Sequence, residues 1–238
     1  MKYEQPIAVV VPAYREERLL PRTLGTIPDY VDDIIVVDDG SPDRTFEVAC
    51  DCAADDKRIE VVRLGFNYGV GRAITAGYER ALELGAHTVV VMAADAQMDP
   101  DDLPRVIDPV VSGRADYSKG DRLSHEQARK MPPVRRFGTW LLARLTGAVA
   151  GRPSLRDSQC GYTAISAEML RRLPLSKLYP RYGYPNDLLL RLAEVDAQVA
   201  QPVVRPVYGD EISGLKITAV ALPISGILLR GLVRRLKD

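Results

Sequence analysis

The stretch Thr88-Val89-Val90-Val91-Met92-Ala93-Ala94-Asp95-Ala96-Gln97-Met98-Asp99-Pro100 decides the fold. Thr88 to Met92 is an apolar, largely β-branched run, which predicts a strand buried on both faces. The run stops abruptly, and Asp95, Gln97, Asp99 and Pro100 follow within a few residues. Open α/β sheets build ligand sites by releasing oxygen-bearing side chains at the carboxyl ends of buried strands. Asp95 and Gln97 alternate, so in an extended segment they point the same way. A carboxylate and an amide carbonyl are hard oxygen ligands suited to Mg²⁺ or Mn²⁺. Taken alone, the stretch reads equally as a solvated turn, with Asp99-Pro100 opening the next helix.

The chain on either side changes that balance. Ile7 to Val11 is a second apolar run, ending in Pro12-Ala-Tyr14-Arg-Glu16-Glu17. Arg18 to Thr26 has leucines at helical spacing. Asp33 to Val37 is a third run, ending in Asp38-Asp39-Gly40-Ser41-Pro42-Asp43, where Ser41-Pro42 suits a helix start. A helix to Ala54, a strand over Ile59 to Leu64 and a helix from Asn67-Tyr-Gly69-Val-Gly71-Arg72-Ala73 to Leu84 complete a βαβαβαβ pattern. That order predicts a mostly parallel sheet with helices on both faces. In such a sheet Tyr14/Glu16, Asp38/Asp39 and Asp95/Gln97 leave strands at one common edge. The Gly69-x-Gly71 pair lacks the spacing of a dinucleotide or P-loop fingerprint, and helix entry is its preferred reading.

Composition excludes several classes. The chain has 238 residues, 46% hydrophobic and 27% charged, with a formal net charge of zero. This suits one globular domain, or one with an appendage, and no global field argues for nucleic acid. Three cysteines without framework spacing suggest a reducing compartment. Met1-Lys2 runs almost directly into a strand, so no signal peptide is expected. No apolar run is long enough to span a bilayer.

The motifs Pro12-Ala-Tyr14-Arg-Glu16-Glu17, Val37-Asp38-Asp39-Gly-Ser-Pro-Asp43, Asn67-x-Gly69-x-Gly71-x-Ala73 and Asp95-Ala-Gln97-x-Asp99-Pro100 resemble, in order, those of family 2 glycosyltransferases. The resemblance runs from about Ile7 to Lys216 and is closest to the dolichyl-phosphate mannosyltransferase and polyprenyl-phosphate branch. It implies the GT-A fold and an inverting sugar transfer from a nucleoside-diphosphate sugar. By this resemblance Pro12, Tyr14 and Glu16 line the base and ribose pocket, and Asp39 holds the base or ribose edge. Ala94 and Asp95 lie against the sugar nucleotide, and Asp95 with Gln97 holds the metal. Ala93 stands where the family carries the first Asp of its Asp-x-Asp, so the metal rests on Asp95 and Gln97.

Further on, Ala115 to Arg122 looks like the next family strand and its Gly-x-Arg. Ser124 to Pro133 reads as a mobile loop over the site. Arg135-Arg136-Phe-Gly-Thr139-Trp140 begins a helix. Asp157-Ser-Gln159-Cys-Gly161-Tyr162 resembles an acceptor-side segment, though Asp157 equally suits bracing a loop. Asp187 stands where family members acting on hydroxyls carry their base; it also suits a helix first turn. Val203 to Tyr208 reads as a strand, and Ser213-Gly-Leu-Lys216 resembles a segment beside the diphosphate.

The leading expectation is metal-dependent transfer from a GDP- or UDP-linked sugar to a polyprenyl phosphate. Arg122, Arg135, Thr139 and Asp157 would then form the acceptor side, with Lys216 helping the leaving diphosphate. Two alternatives stand beside it: transfer to a sugar hydroxyl with Asp187 as base, and a non-catalytic sugar-nucleotide binder, motivated by Ala93. Residues 1–216 form the catalytic domain in this reading. Residues 217–238 form an apolar segment with a basic end, suited to peripheral contact with a membrane at its cytoplasmic face.

Overall fold

The computed structural model describes residues 3–207 and 217–235. Seven strands form one sheet: β1 Ile7–Ala13, β2 Asp33–Asp38, β3 Ile59–Arg63, β4 Thr88–Val91, β5 Tyr117–Lys119, β6 Thr163–Ser166 and β7 Val199–Ala200. Their spatial order is β3-β2-β1-β4-β6-β5-β7. The first four are mutually parallel, as the βαβ pattern predicts, and β6 runs antiparallel to both β4 and β5.

Alternation of apolar side chains explains why the central strands are buried on both faces. Ala8, Val10, Ile35, Val37, Val89 and Val91 pack on one side, with Ile74 and Tyr78 of α3 (Val70–Glu83) and Leu188 and Leu192 of α7 (Tyr184–Glu194). Ile7, Val9, Val11, Ile34, Val36 and Val90 pack on the other. There they meet α1 (Leu20–Leu24), α2 (Thr45–Asp55) and α4 (Leu103–Val111). Each such side chain contributes about 1.5–3 kcal/mol on burial. The two half-cores hold the sheet rigid beneath the loops at its edge.

The sheet register carries the site. Thr163 of β6 faces Val91 of β4 on one side and Lys119 of β5 on the other. Both neighbours run against β6, so β4 and β5 end at the same edge. Asp95, four residues past Val91, and Arg122, three past Lys119, therefore leave the sheet together. Ala13 pairs with Asp38, so Tyr14 and Asp39 leave there too.

Two expectations about local structure are corrected, at Val203 to Tyr208 and at Ser124 to Pro133. Val203 to Tyr208 is not a strand in its described part: Val203 and Pro206 make isolated bridges, to Asp121 and Met98. Pro202 and Pro206 lack the N–H groups a ladder needs, and the paired strand β7 lies earlier. Ser124 to Pro133 is folded rather than a loose loop. It holds a 3-10 turn at Glu126–Lys130 capped by the His125 ring, with Ala128 and Met131 buried. The C-terminal segment forms α8 (Ile217–Arg235), with Pro223 inside the helix. It docks on α7 and on α5 (Pro133–Val149). Ile224 and Ile227 are buried, Arg234 pairs with Glu194, and Arg235 donates to the Ala148 and Val149 carbonyls. Among the described residues no helix is long and apolar enough to cross a membrane.

Candidate active site

The β1 exit is held in a strained turn. Arg15 has φ 61°, a left-handed conformation costly for a residue with a side chain. Ser41 Oγ accepts the Arg15 N–H at 3.2 Å, and Thr45 Oγ1 accepts the Glu16 N–H at 2.9 Å. The loops after β1 and β2 are thus tied together, presenting Glu16 half-buried. Burial, then the facing carboxylates of Asp95 and Asp43, push the Glu16 carboxyl up to about 7.

Asp39 follows β2 and is buried. Its two oxygens accept the N–H groups of Tyr68 and Gly69, at 2.9 and 2.8 Å. Burial raises its carboxyl above the usual range, although these amides and the charge of Arg181 oppose the shift. Gly69 has φ 105° and caps α3. The Asn67-x-Gly69 motif is thus a clamp for Asp39 rather than a phosphate loop. Pro12, Tyr14 and Asp39 line one cleft of about 320 Å³ with Asn67, Arg181 and Tyr182.

The β4 exit is a second strained turn, with Ala96 at φ 55°. The Gln97 N–H donates to Asp95 Oδ1 at 3.1 Å. Asp95 and Gln97 are both half-buried at the sheet edge. Asp95 and Gln97 offer a carboxylate and an amide oxygen of the kind Mg²⁺ or Mn²⁺ takes, although among the described residues no three His, Cys, Asp or Glu side chains group to hold a metal ion. Ala94 plays a packing part: its side chain is in the core and its carbonyl accepts from Thr23 Oγ1 at 3.0 Å. Asp99 caps the following 3-10 turn and pairs with Arg205. Met98 bridges Pro206, so the chain towards Ser213 and Lys216 passes this turn. Ser213 and Lys216 themselves lie outside the described residues.

Arg122 meets Asp157 at 2.8 and 3.2 Å through two guanidinium nitrogens. Asp157 is 1% exposed and also accepts the N–H groups of Gln159 and Cys160. Burial raises its carboxyl, but Arg122, Lys119 and the Gln159 amide outweigh that and hold it below the usual range. Asp157 therefore braces both its own loop and Arg122. Behind them Lys119 is fully buried, donating to the Cys160 carbonyl, and burial lowers its ammonium to about 8.

Arg135 and Thr139 lie one turn apart on α5 and differ in burial. Residues 132 to 138 are exposed on every side, while Thr139 is buried. The helix emerges from the body between the two. Asp187 is buried and engaged at both oxygens. Oδ2 accepts the Tyr179 N–H at 3.0 Å and meets Arg191 at 3.3 Å; Oδ1 lies 3.7 Å from Arg234.

Residues 8–173, more than half of the chain, match the model of glycosyl transferase family 2. The chain is a family 2 glycosyltransferase.

Several relatives are similar over most of this enzyme. The undecaprenyl-phosphate mannosyltransferase of Micrococcus luteus is 32% identical, covering 82% of this chain and 81% of that protein. The UDP-N-acetylglucosamine–dolichyl-phosphate N-acetylglucosaminyltransferase of Methanococcus voltae is 27% identical, over 85% and 86%. Among solved structures, glucosyl-3-phosphoglycerate synthase from Mycobacterium tuberculosis with UDP superposes at a TM-score of 0.72, with 23% identity. That match covers 96% of this chain and 80% of the other. It establishes the GT-A fold for this glycosyltransferase. Arg181 and Tyr182 went unmarked as site residues in the sequence, because Tyr179-Pro180-Arg181-Tyr182 has no periodicity and lies far along the chain from the motifs it joins.

Proposed function

We propose that this glycosyltransferase moves a sugar, with inversion, from a GDP- or UDP-linked donor to a polyprenyl phosphate. The carrying observation is convergence at one sheet edge: the Asp39 cleft, the Asp95–Gln97 turn and Arg122 all leave the sheet there. In this reading Asp39 and Tyr14 orient the nucleoside in the cleft. Asp95 and Gln97 hold Mg²⁺ or Mn²⁺, with Lys216 as a further cation. A bound divalent ion neutralises the leaving diphosphate. The glucosyl-3-phosphoglycerate synthase has been crystallised with Mn²⁺ and UDP, which supports a metal here.

A lipid phosphate is anionic and needs no strong base. It needs oriented cations, and the Asp157 brace pre-orients Arg122 as a forked donor. Asp187 is buried, accepts the Tyr179 N–H and pairs with Arg191 and Arg234, which favours a bracing role over that of a general base. The names of the Micrococcus and Methanococcus relatives support a polyprenyl-phosphate acceptor.

Contact with the membrane follows from the same acceptor. Val134 and Phe137, 73% and 62% exposed, stand on the projecting start of α5, with Trp140, Leu141 and Leu145 exposed beyond them. Arg129, Lys130, Arg135, Arg136 and Arg144 are exposed around this row, and no Asp or Glu occurs from Gln127 to Arg156. Exposed aromatics within a basic surface suit an anionic lipid interface at the cytoplasmic face. Leu222, Leu229, Leu232 and Val233 of α8 are also exposed.

The test is turnover. GDP- and UDP-sugars are incubated with the enzyme, Mn²⁺ and a polyprenyl phosphate, and free nucleoside diphosphate is measured. Release that depends on the lipid supports this reading. Binding without turnover supports the non-catalytic alternative suggested by Ala93.

A further inference from the structure

We infer that Arg181 binds the nucleobase of the donor, and that Asp187 is the positioning residue that holds Arg181 in place. This rests on the donor reading of the same cleft.

Residues 179–183 cross the start of α3 as a strap. The Pro180 carbonyl accepts the Arg72 N–H at 3.0 Å. A Cβ on Gly71 would lie 2.3 Å from the Tyr179 oxygen, and one on Gly69 would lie 2.6 Å from the Pro180 oxygen. The glycine pair is thus the seat of the strap, since a side chain at either position would lift it. One end of the strap is held by the bond from the Tyr179 N–H to Asp187. The other is held by Gly183, where a Cβ would meet Ile227 of α8 at 2.3 Å. Asp187 is in turn fixed by Arg191 and Arg234.

The strap carries Arg181 to the cleft that Asp39 lines. Its guanidinium reaches Asn67 only loosely, at 3.3 Å to the carbonyl and 3.5 Å to Oδ1. These are long hydrogen bonds, which a better acceptor would displace. The charge of Arg181 is also felt at Asp39, whose carboxyl it lowers against burial. A carboxylate and a guanidinium in one cleft complement a ring N–H next to a carbonyl. Guanine and uracil carry that pair; adenine and cytosine do not. The chemical class selected is therefore an oxo-base nucleoside diphosphate.

The full-length chain is titrated calorimetrically with GDP, UDP and ADP in the presence of Mn²⁺. Wild type should bind GDP or UDP more tightly than ADP. Arg181→Ala should lose about tenfold to a hundredfold of that binding, the range for one charge-assisted hydrogen bond, with ADP unchanged. Arg181→Lys should recover part of it. Asp187→Asn should raise the donor KM while leaving kcat and the pH–rate profile in place. Gly71→Ala, which presses on the strap without altering charge, should do the same. Wild-type binding of GDP or UDP with Arg181→Ala unchanged overturns the inference alone. Failure of wild type to bind either nucleotide overturns the donor reading as well. An Asp187→Asn variant that loses kcat together with the acid limb of its pH profile makes Asp187 a base and overturns its positioning role.

Discussion

Arg122 grips Asp157 across 35 residues of chain with two guanidinium nitrogens, and the carboxylate so held is 1% exposed. This pair joins the edge of β5 to the loop before β6, and it orients Arg122 at the same sheet edge as the Asp95 turn. Removing Arg122 breaks a buried ion pair, which typically costs about 3–5 kcal/mol, a cost that the Gln159 and Cys160 amides and the charge of Lys119 reduce. Arg122→Ala should therefore shift the urea midpoint down sharply as well as lowering activity. A variant that melts like wild type would mean that the pair contributes nothing to the fold.

Asp95→Ala should behave in the opposite way. The side chain sits half-buried at a strand exit, outside both core clusters, so the melting temperature should stay within a few degrees of wild type. Sugar transfer should fall severely, and EDTA should abolish wild-type transfer. Near-wild-type turnover of the variant, or indifference to EDTA, overturns the metal assignment.

Glu16 makes stability depend on pH. Its carboxyl rises from an ordinary 4.5 to about 7 on folding. Between those values the folded protein binds more protons than the unfolded chain. The stability contributed by protonated Glu16 is thus full below about 4.5 and lost as pH rises through about 7. Glu16→Gln should remove this loss, so its melting temperature should gain on wild type from pH 4.5 to pH 8. A constant difference across that range would show that Glu16 does not titrate in this window.

Arg135 tests the lipid acceptor. Losing a charge-assisted hydrogen bond to phosphate costs on the order of 1.5–3 kcal/mol, or roughly tenfold to a hundredfold in transfer. Arg135→Ala should show that loss with polyprenyl phosphate while GDP and UDP affinity is kept. Phe137→Ser, changing an exposed apolar side chain on the same helix, should weaken flotation with anionic vesicles and leave folding intact. If Arg135 is dispensable and flotation is unaffected, the α5 surface is not the lipid-facing one.

The local sequence by itself determined the parallel half of the sheet. Continuous apolar runs at Ile7, Asp33 and Thr88 can be satisfied only between two helical layers, and each run ends in the polar residues that reach the site. The placement of Tyr14, Glu16, Asp39, Asp95 and Gln97 at the sheet edge was legible for that reason: each follows closely on the end of a strand in the chain. Tertiary structure alone decided the rest. β6 is four residues long and antiparallel, and its place between β4 and β5 depends on register across distant segments. The strap at Arg181 reaches Asn67 from 114 residues away, and Asp187 meets Arg234 only because α8 docks on α7. Such contacts join segments with no periodicity of their own, so no local pattern announces them. They exist because packing brings charges together in a buried place, where each must find a partner.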